Sequence, residues 1–318
     1  MWKRLRHLFW APEPPVRPPR SVKPPALPTS CAPHTESARS PAYPSWSERT
    51  HVDGDPLDTL RRILRSPEAR HASTFTEKLW RLALEGDPTF PVFPRAALDL
   101  DLALRRTNVA FDELAKIVRT DPGLVERIIR RASSAGTGSS VPDLGTAFAR
   151  LGTTGVWRVA MASVLDAPVF RSSGWAREAD LARRVAMVTG ELAASSLDPR
   201  VDPGVAYLVG TLHELGTLQI LRHAPRDMSP HLLRQLLSSL SPALGRHVVE
   251  GWKLDPRVAP AIGALGAEDF EPTRRAVRVA QMAAHAAVLG DVDSLESLPD
   301  ELAEEVESLV AYARRLAA

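Results

Sequence analysis

One cysteine among 318 residues leaves no partner for an intramolecular disulfide, so a disulfide-stapled scaffold is excluded. A reducing compartment such as the cytoplasm is the expected setting. Charge of one sign is also missing. Forty basic residues face thirty-eight acidic ones, for a net charge of +2, and that balance demands neither nucleic acid nor membrane as a partner. No apolar run approaches the roughly 18 residues that a spanning helix needs. The basic start, Met1 to Trp10, loses its apolar stretch at Pro12, Pro14 and Pro15, which does not fit a secretory signal. Aromatics are only 6% of the chain, and Trp157, Trp175 and Trp252 read as core residues rather than a ligand cage.

Proline is what the chain has in excess, and its placement is uneven. Twelve of the 28 prolines lie in the first 56 residues. Each removes a backbone donor and fixes φ, and the apolar content there is too thin to offset the entropy of ordering. Residues 1–56 are therefore expected to form a disordered tail. Within it, Pro14 to Arg20 suits polyproline II read by an aromatic groove, or a plain spacer. Trp2, Leu5, Phe9 and Trp10 with Lys3, Arg4 and Arg6 suit a short interfacial turn. Cys31 has no nearby His to activate it.

From Pro56 onward the apolar period is helical. Leu57, Leu60, Ile63 and Leu64, then Phe75, Leu79, Leu82 and Ala83, give a lead-in over 57–88. Candidate helices follow over Ala96–Arg105, Phe111–Thr120, Gly123–Ala132, Asp143–Leu151, Thr154–Leu165 and Ala176–Ser195. Next come Pro203–Arg222, Ser229–Leu240, Pro242–Trp252, Pro256–Leu265 and Pro272–Leu289. Residues 291–318 hold a last helix, acidic at Glu301, Glu304 and Glu305 and basic at Arg314 and Arg315, as the helix dipole favours. No segment alternates with period two, so the expected fold class is all-α.

Several motifs stand in order over residues 89–290. They are Phe90-Pro91-Val92-Phe93-Pro94, Asp121-Pro122-Gly123-Leu124 with Arg131-Ala132-Ser133-Ser134-Ala135, Leu151-Gly152, and Trp175 opening a helix. The most specific is Ala206-Tyr207-Leu208-Val209-Gly210-Thr211-Leu212-His213-Glu214-Leu215-Gly216, and Gly245 with Trp252-Lys253-Leu254-Asp255-Pro256 follows it. Together they resemble the HDOD (HD-related output domain) family, a helical offshoot of the HD metal-dependent phosphohydrolases. The resemblance implies a multi-helix HD-like domain with a signal-output role in bacterial signalling.

In the catalytic relatives a His, an adjacent His–Asp pair and a later Asp converge on one or two divalent ions, which activate water against a phosphoester. Adjacent helical residues point about 100° apart, so such a pair can bracket an ion. Here His213 remains, but Glu214 stands for the Asp. Ala176, Arg177 and Glu178 stand where the first His would fall, and Ala280, Gln281 or Met282 where the last Asp would. A degenerate site follows: no catalytic residue, no metal and no cofactor are expected, and His213 reads as a buried imidazole bonded to Glu214 or a carbonyl. The expected role is non-catalytic, through protein partners or a small ligand, with a remnant cleft around His213, Glu214, Arg177 and Glu178. There Arg177 would fork onto a phosphate-bearing ligand such as a cyclic dinucleotide.

The alternatives are a metal-dependent phosphodiesterase with substitute ligands and a nucleic-acid-binding regulator. Arg127, Arg130 and Arg131 follow a helix–turn–helix-like pair and would meet phosphates, although Glu126 interrupts them. His247 and Glu250 share an i, i+3 face that zinc can use when other helices contribute. Without such help they read as an ordinary polar pair, and His223, His231 and His285 read as singletons. Gly136-Thr137-Gly138-Ser139-Ser140 lacks the lysine and strand of a phosphate loop and reads as a connector.

Overall fold

The computed structural model describes residues 40, 42–45, 61, 63, 65, 73–85, 92–106, 108–134, 141–170, 174–252, 254–265, 271–291 and 300–317. The chain divides into two units. Met1–Glu36 lies outside the described residues, and Ser37–Ala318 holds every element below.

Twelve helices are used in the description. They are α1 (Ser73–Glu85), α2 (Arg95–Leu104), α3 (Phe111–Arg119), α4 (Pro122–Ser134), α5 (Leu144–Ala162) and α6 (Ala176–Ala194). Then follow α7 (Pro203–Leu212), α8 (Leu215–His223), α9 (Pro230–Glu250), α10 (Val258–Gly263), α11 (Pro272–Leu289) and α12 (Asp300–Ala317). Among the described residues there is no strand, and the fold is all-α. No helix among them is long and apolar enough to cross a membrane.

Four of the prolines beyond residue 56 start α-helices. Asp121-Pro122, Asp202-Pro203, Ser229-Pro230 and Glu271-Pro272 open α4, α7, α9 and α11. In each the side chain before proline accepts a backbone N–H of the first turn, while proline, which has none to leave orphaned, occupies the first position. Asp143 caps α5 in the same way, from Thr146 N at 2.8 Å.

The centre of the unit is α6, which packs against α7, α8, α11 and α12. In α7 every side chain from Val205 to Leu212 is buried, and in α8 every one from Leu215 to Leu221. The last helix belongs to the same body: Val306, Val310 and Ala313 are buried, and Arg275 of α11 pairs with Glu305 at 2.9 Å.

Two expected helix boundaries are corrected. The run Pro203–Arg222 is two helices, broken at His213–Glu214, where Glu214 sits at φ −85°, ψ 1°. The runs on either side of Pro242 are one helix, α9. Leu236, Leu237, Leu240, Leu244 and Val248 are all buried, and this side, continuous across the proline, holds the two halves together. The expected break between Asp143–Leu151 and Thr154–Leu165 is present inside α5, where Gly152 adopts φ 67°, ψ 172°, a conformation side chains disfavour. The helix runs on as a 3₁₀ turn, Ser163–Asp166.

Of the lead-in positions, Leu57, Leu60 and Leu64 lie outside the described residues, while Phe75, Leu79 and Leu82 of α1 are buried. The Pro-rich stretch 1–56 contains one described packed segment. Ser40, Ala42 and Tyr43 are buried against the helical unit. The remaining tail features, including Trp2 to Trp10, Pro14 to Arg20 and Cys31, lie outside the described residues.

Candidate functional site

The motif from Ala206 to Gly216 runs off the end of α7 and into α8, and close helix crossings account for two of its glycines. A Cβ on Gly210 would lie 2.8 Å from the Cα of Gly190 in α6, and one on Gly216 would lie 1.9 Å from the carbonyl oxygen of Ser241 in α9. Backbones meet at both points, and no side chain fits. His213 and Glu214 are held at the joint between these two crossings.

The joint is dry, with the two side chains 2% and 0% exposed. Nδ1 of His213 lies 2.6 Å from the Gly210 carbonyl oxygen and must carry the proton that this bond needs. Nε2 lies 3.2 Å from Glu214 Oε1. The two atoms are close without hydrogen-bond geometry, and they attract as an ion pair when the imidazole is protonated. Two such donors can also flank a cation, but a hydrolytic ion needs at least a third protein ligand. Among the described residues no group of three or more His, Cys, Asp or Glu is placed to hold one. The described residues around His213 and Glu214 therefore do not supply the ligand set that a hydrolytic metal needs.

Glu178, in the first turn of α6, is buried and accepts a hydrogen bond from the Ser40 hydroxyl. Arg177 beside it is exposed. The structure thus brings His213 and Glu214 together and seats Glu178 under the N-terminal segment. Ala280, Gln281 and Met282, where a terminal carboxylate was sought, are all buried in α11. One turn on, His285 is fully buried and faces the ring of Tyr43 with centroids 6.0 Å apart.

The three candidate nucleic-acid arginines each face a carboxylate. Arg127 lies 3.8 Å from Asp121, Arg130 pairs with Glu126, and Arg131 lies 4.0 Å from Glu191. Glu191 also holds Arg158 at 2.7 Å, whose carbonyl accepts the Tyr207 hydroxyl at 2.9 Å. Burial, then the Glu191 carboxylate, pushes the Tyr207 phenol up from its ordinary range. These contacts tie α4, α5, α6 and α7 together, so Arg131 has a place in the scaffold.

Glu250 pairs with Arg246 at 2.7 Å, and His247 is half-buried beside it on α9. His231 is exposed and reaches Gln235 at 3.0 Å, and His223 is half-buried at the end of α8. Trp252 is buried. Trp157 and Trp175 are half-buried, with their indole N–H groups donating to Asp101 and to the Pro225 carbonyl at 2.9 Å each. Residues 136–140 lie outside the described residues. Sequence reasoning missed the seat of Ser40 and Tyr43, for which the one local signal is Ser-Pro-Ala-Tyr, a favourable turn sequence.

A family model described as the HDOD domain matches residues 90–265. Three solved structures share the fold. A proposed metal-dependent phosphohydrolase from Shewanella amazonensis SB2B is 19% identical, with a TM-score of 0.55 over 77% of this chain and 91% of its own. An HDOD domain protein of unknown function from Geobacter sulfurreducens is 15% identical, with 0.54 over 76% and 95%. A proposed signal transduction protein from Marinobacter aquaeolei VT8 is 17% identical, with 0.52 over 82% and 67%. No curated protein sequence matches.

Proposed function

Since the chain belongs to the HDOD domain family, we propose that it is a non-catalytic member, one that passes on a signal by binding rather than by hydrolysis. The observation that carries this reading is the burial of His213, with Nδ1 bonded to the Gly210 carbonyl and Nε2 3.2 Å from Glu214, within a joint closed to solvent. An imidazole so placed braces the junction of α7 and α8. A water held by a metal would need open coordination positions beside it.

Output by binding needs a surface, and the start of α6 supplies one with chemistry. Arg177 is exposed there, in the first turn of a 19-residue helix. A planar guanidinium beside a helix N-terminus suits a phosphate-bearing ligand, a cyclic dinucleotide being the class expected for bacterial signalling, or an acidic side chain of a protein partner. Calorimetric titration of the full chain with cyclic dinucleotides tests the small-ligand form. Saturable heat lost in Arg177→Ala supports it, and heat equal to dilution for every dinucleotide overturns it.

A further inference from the structure

Ser40, Ala42 and Tyr43 belong to a tight turn. The Tyr43 amide donates to the Ser40 carbonyl at 3.2 Å, and the Ala42 amide reaches the Ser40 hydroxyl at 3.4 Å. The sequence Ser-Pro-Ala-Tyr favours such a turn, because proline suits its second position, and a preset turn loses little conformational freedom on docking. Its three described residues are among the better-buried of the chain, with Ala42 at 0%, Tyr43 at 5% and Ser40 at 6%.

The seat is built from two helices remote in sequence. The Ser40 hydroxyl donates to Glu178, in the first turn of α6, 138 positions away. The Tyr43 ring packs on His285 of α11, tilted by 35°. Covered by the turn are a carboxylate and an imidazole, both of which favour water when uncovered. A turn that reads a buried carboxylate with a hydroxyl and an imidazole with a phenol ring makes a specific, chemically mixed contact. Its polar half can be reversed by one charge.

We propose that residues 40–43 are a detachable strap, an in-cis ligand seated on α6 and α11, and that the site beneath it is a peptide-binding groove. The groove selects a hydroxyl in first position and an aromatic ring in fourth. The strap covers Glu178, next to the exposed Arg177, and its release would change the surface at the beginning of α6. This regulatory role rests on the reading that the start of α6 is the binding surface. The groove itself stands on the two contacts alone.

The strap's tether gives it an effective concentration on the order of millimolar, which a free peptide must overcome. The test uses the full chain and a fluorescent synthetic peptide of residues 37–47. Ser40→Asp places a like charge against Glu178 and expels the strap, and Tyr43→Ala removes its ring, while both leave α6 and α11 untouched. The peptide should bind each variant at least about tenfold more tightly than it binds the unaltered chain. A peptide carrying Ser40→Asp should bind none of them. Equal affinity for all three proteins, or binding to none, overturns the strap. Calorimetry with cyclic dinucleotides remains separate: dinucleotide binding without peptide exchange removes the strap and leaves the proposed function, and the converse leaves the groove without that ligand.

Discussion

Gly190 of α6 and Gly210 of α7 meet backbone to backbone. A Cβ on Gly210 would come within 2.8 Å of the Gly190 Cα and 2.9 Å of its nitrogen. Helices this close have no freedom to admit a methyl group, since the atoms in the way belong to the main chain. Gly210→Ala is expected to cost about 2–4 kcal/mol, at or above the upper range of overpacking, read as a lowered urea midpoint. Gly251→Ala, where a Cβ makes only an ordinary 3.5 Å contact with the Val248 carbonyl, should change stability by less than about 0.5 kcal/mol.

The pair at the joint makes a second prediction. Glu214→Ala leaves Nε2 of a buried imidazole facing a void, and His213→Ala does the same to a buried carboxylate oxygen. Each should cost about 3 kcal/mol. The double substitution should cost clearly less than the sum, because neither group then remains stranded. Urea denaturation of the three variants gives the coupling directly, and strict additivity would mean that the two groups do not interact.

Acid sensitivity comes from surface carboxylates held in their charged form. The side-chain hydrogen bond from Arg200 pulls Asp198 down to about 2, the cap bonds from Thr146 lower Asp143, and the Arg257 side-chain bond lowers Asp255. A folded pKa below the unfolded one gives stabilisation that is complete above the unfolded value, about 4, and is lost as pH falls through the folded value. The melting temperature should therefore be flat with respect to these groups above pH 5 and should fall between about pH 4 and 2. Asp198→Asn should make that fall shallower, a result read from thermal scans at stepped pH.

Nucleic-acid binding makes a distinct prediction. With Arg127, Arg130 and Arg131 facing Asp121, Glu126 and Glu191, the chain should not retard duplex DNA at low salt. Replacing all three arginines with Ala should leave the gel unchanged. A retarded band that weakens steeply with salt and vanishes in the triple variant would show the face to be a phosphate contact.

Much of this architecture was legible from local chemistry. The helix Pro272–Leu289 is found with the expected ends, because Glu271-Pro272 starts it and Gly290, at φ 68°, stops it. The break at His213–Glu214 was not legible, because the residues around it are buried on both sides and an all-round apolar run shows no phase change where a helix ends. Pro242 misled in the opposite direction, since a local breaker was overruled by leucines buried on both sides of it. His213 was expected to bond Glu214 or a carbonyl, and it bonds the Gly210 carbonyl, with Glu214 close by but not hydrogen-bonded to it. The seat of Ser40 and Tyr43 lay beyond any local signal, because its partners stand at positions 178 and 285.

The central claim is that His213 braces the fold and holds no hydrolytic ion. Metal analysis of the full chain, purified without chelator and then dialysed against manganese, iron and zinc in turn, tests it most directly. The account predicts a substoichiometric content that His213→Ala does not alter. One equivalent of bound metal, lost in His213→Ala and accompanied by phosphodiester hydrolysis, would contradict it.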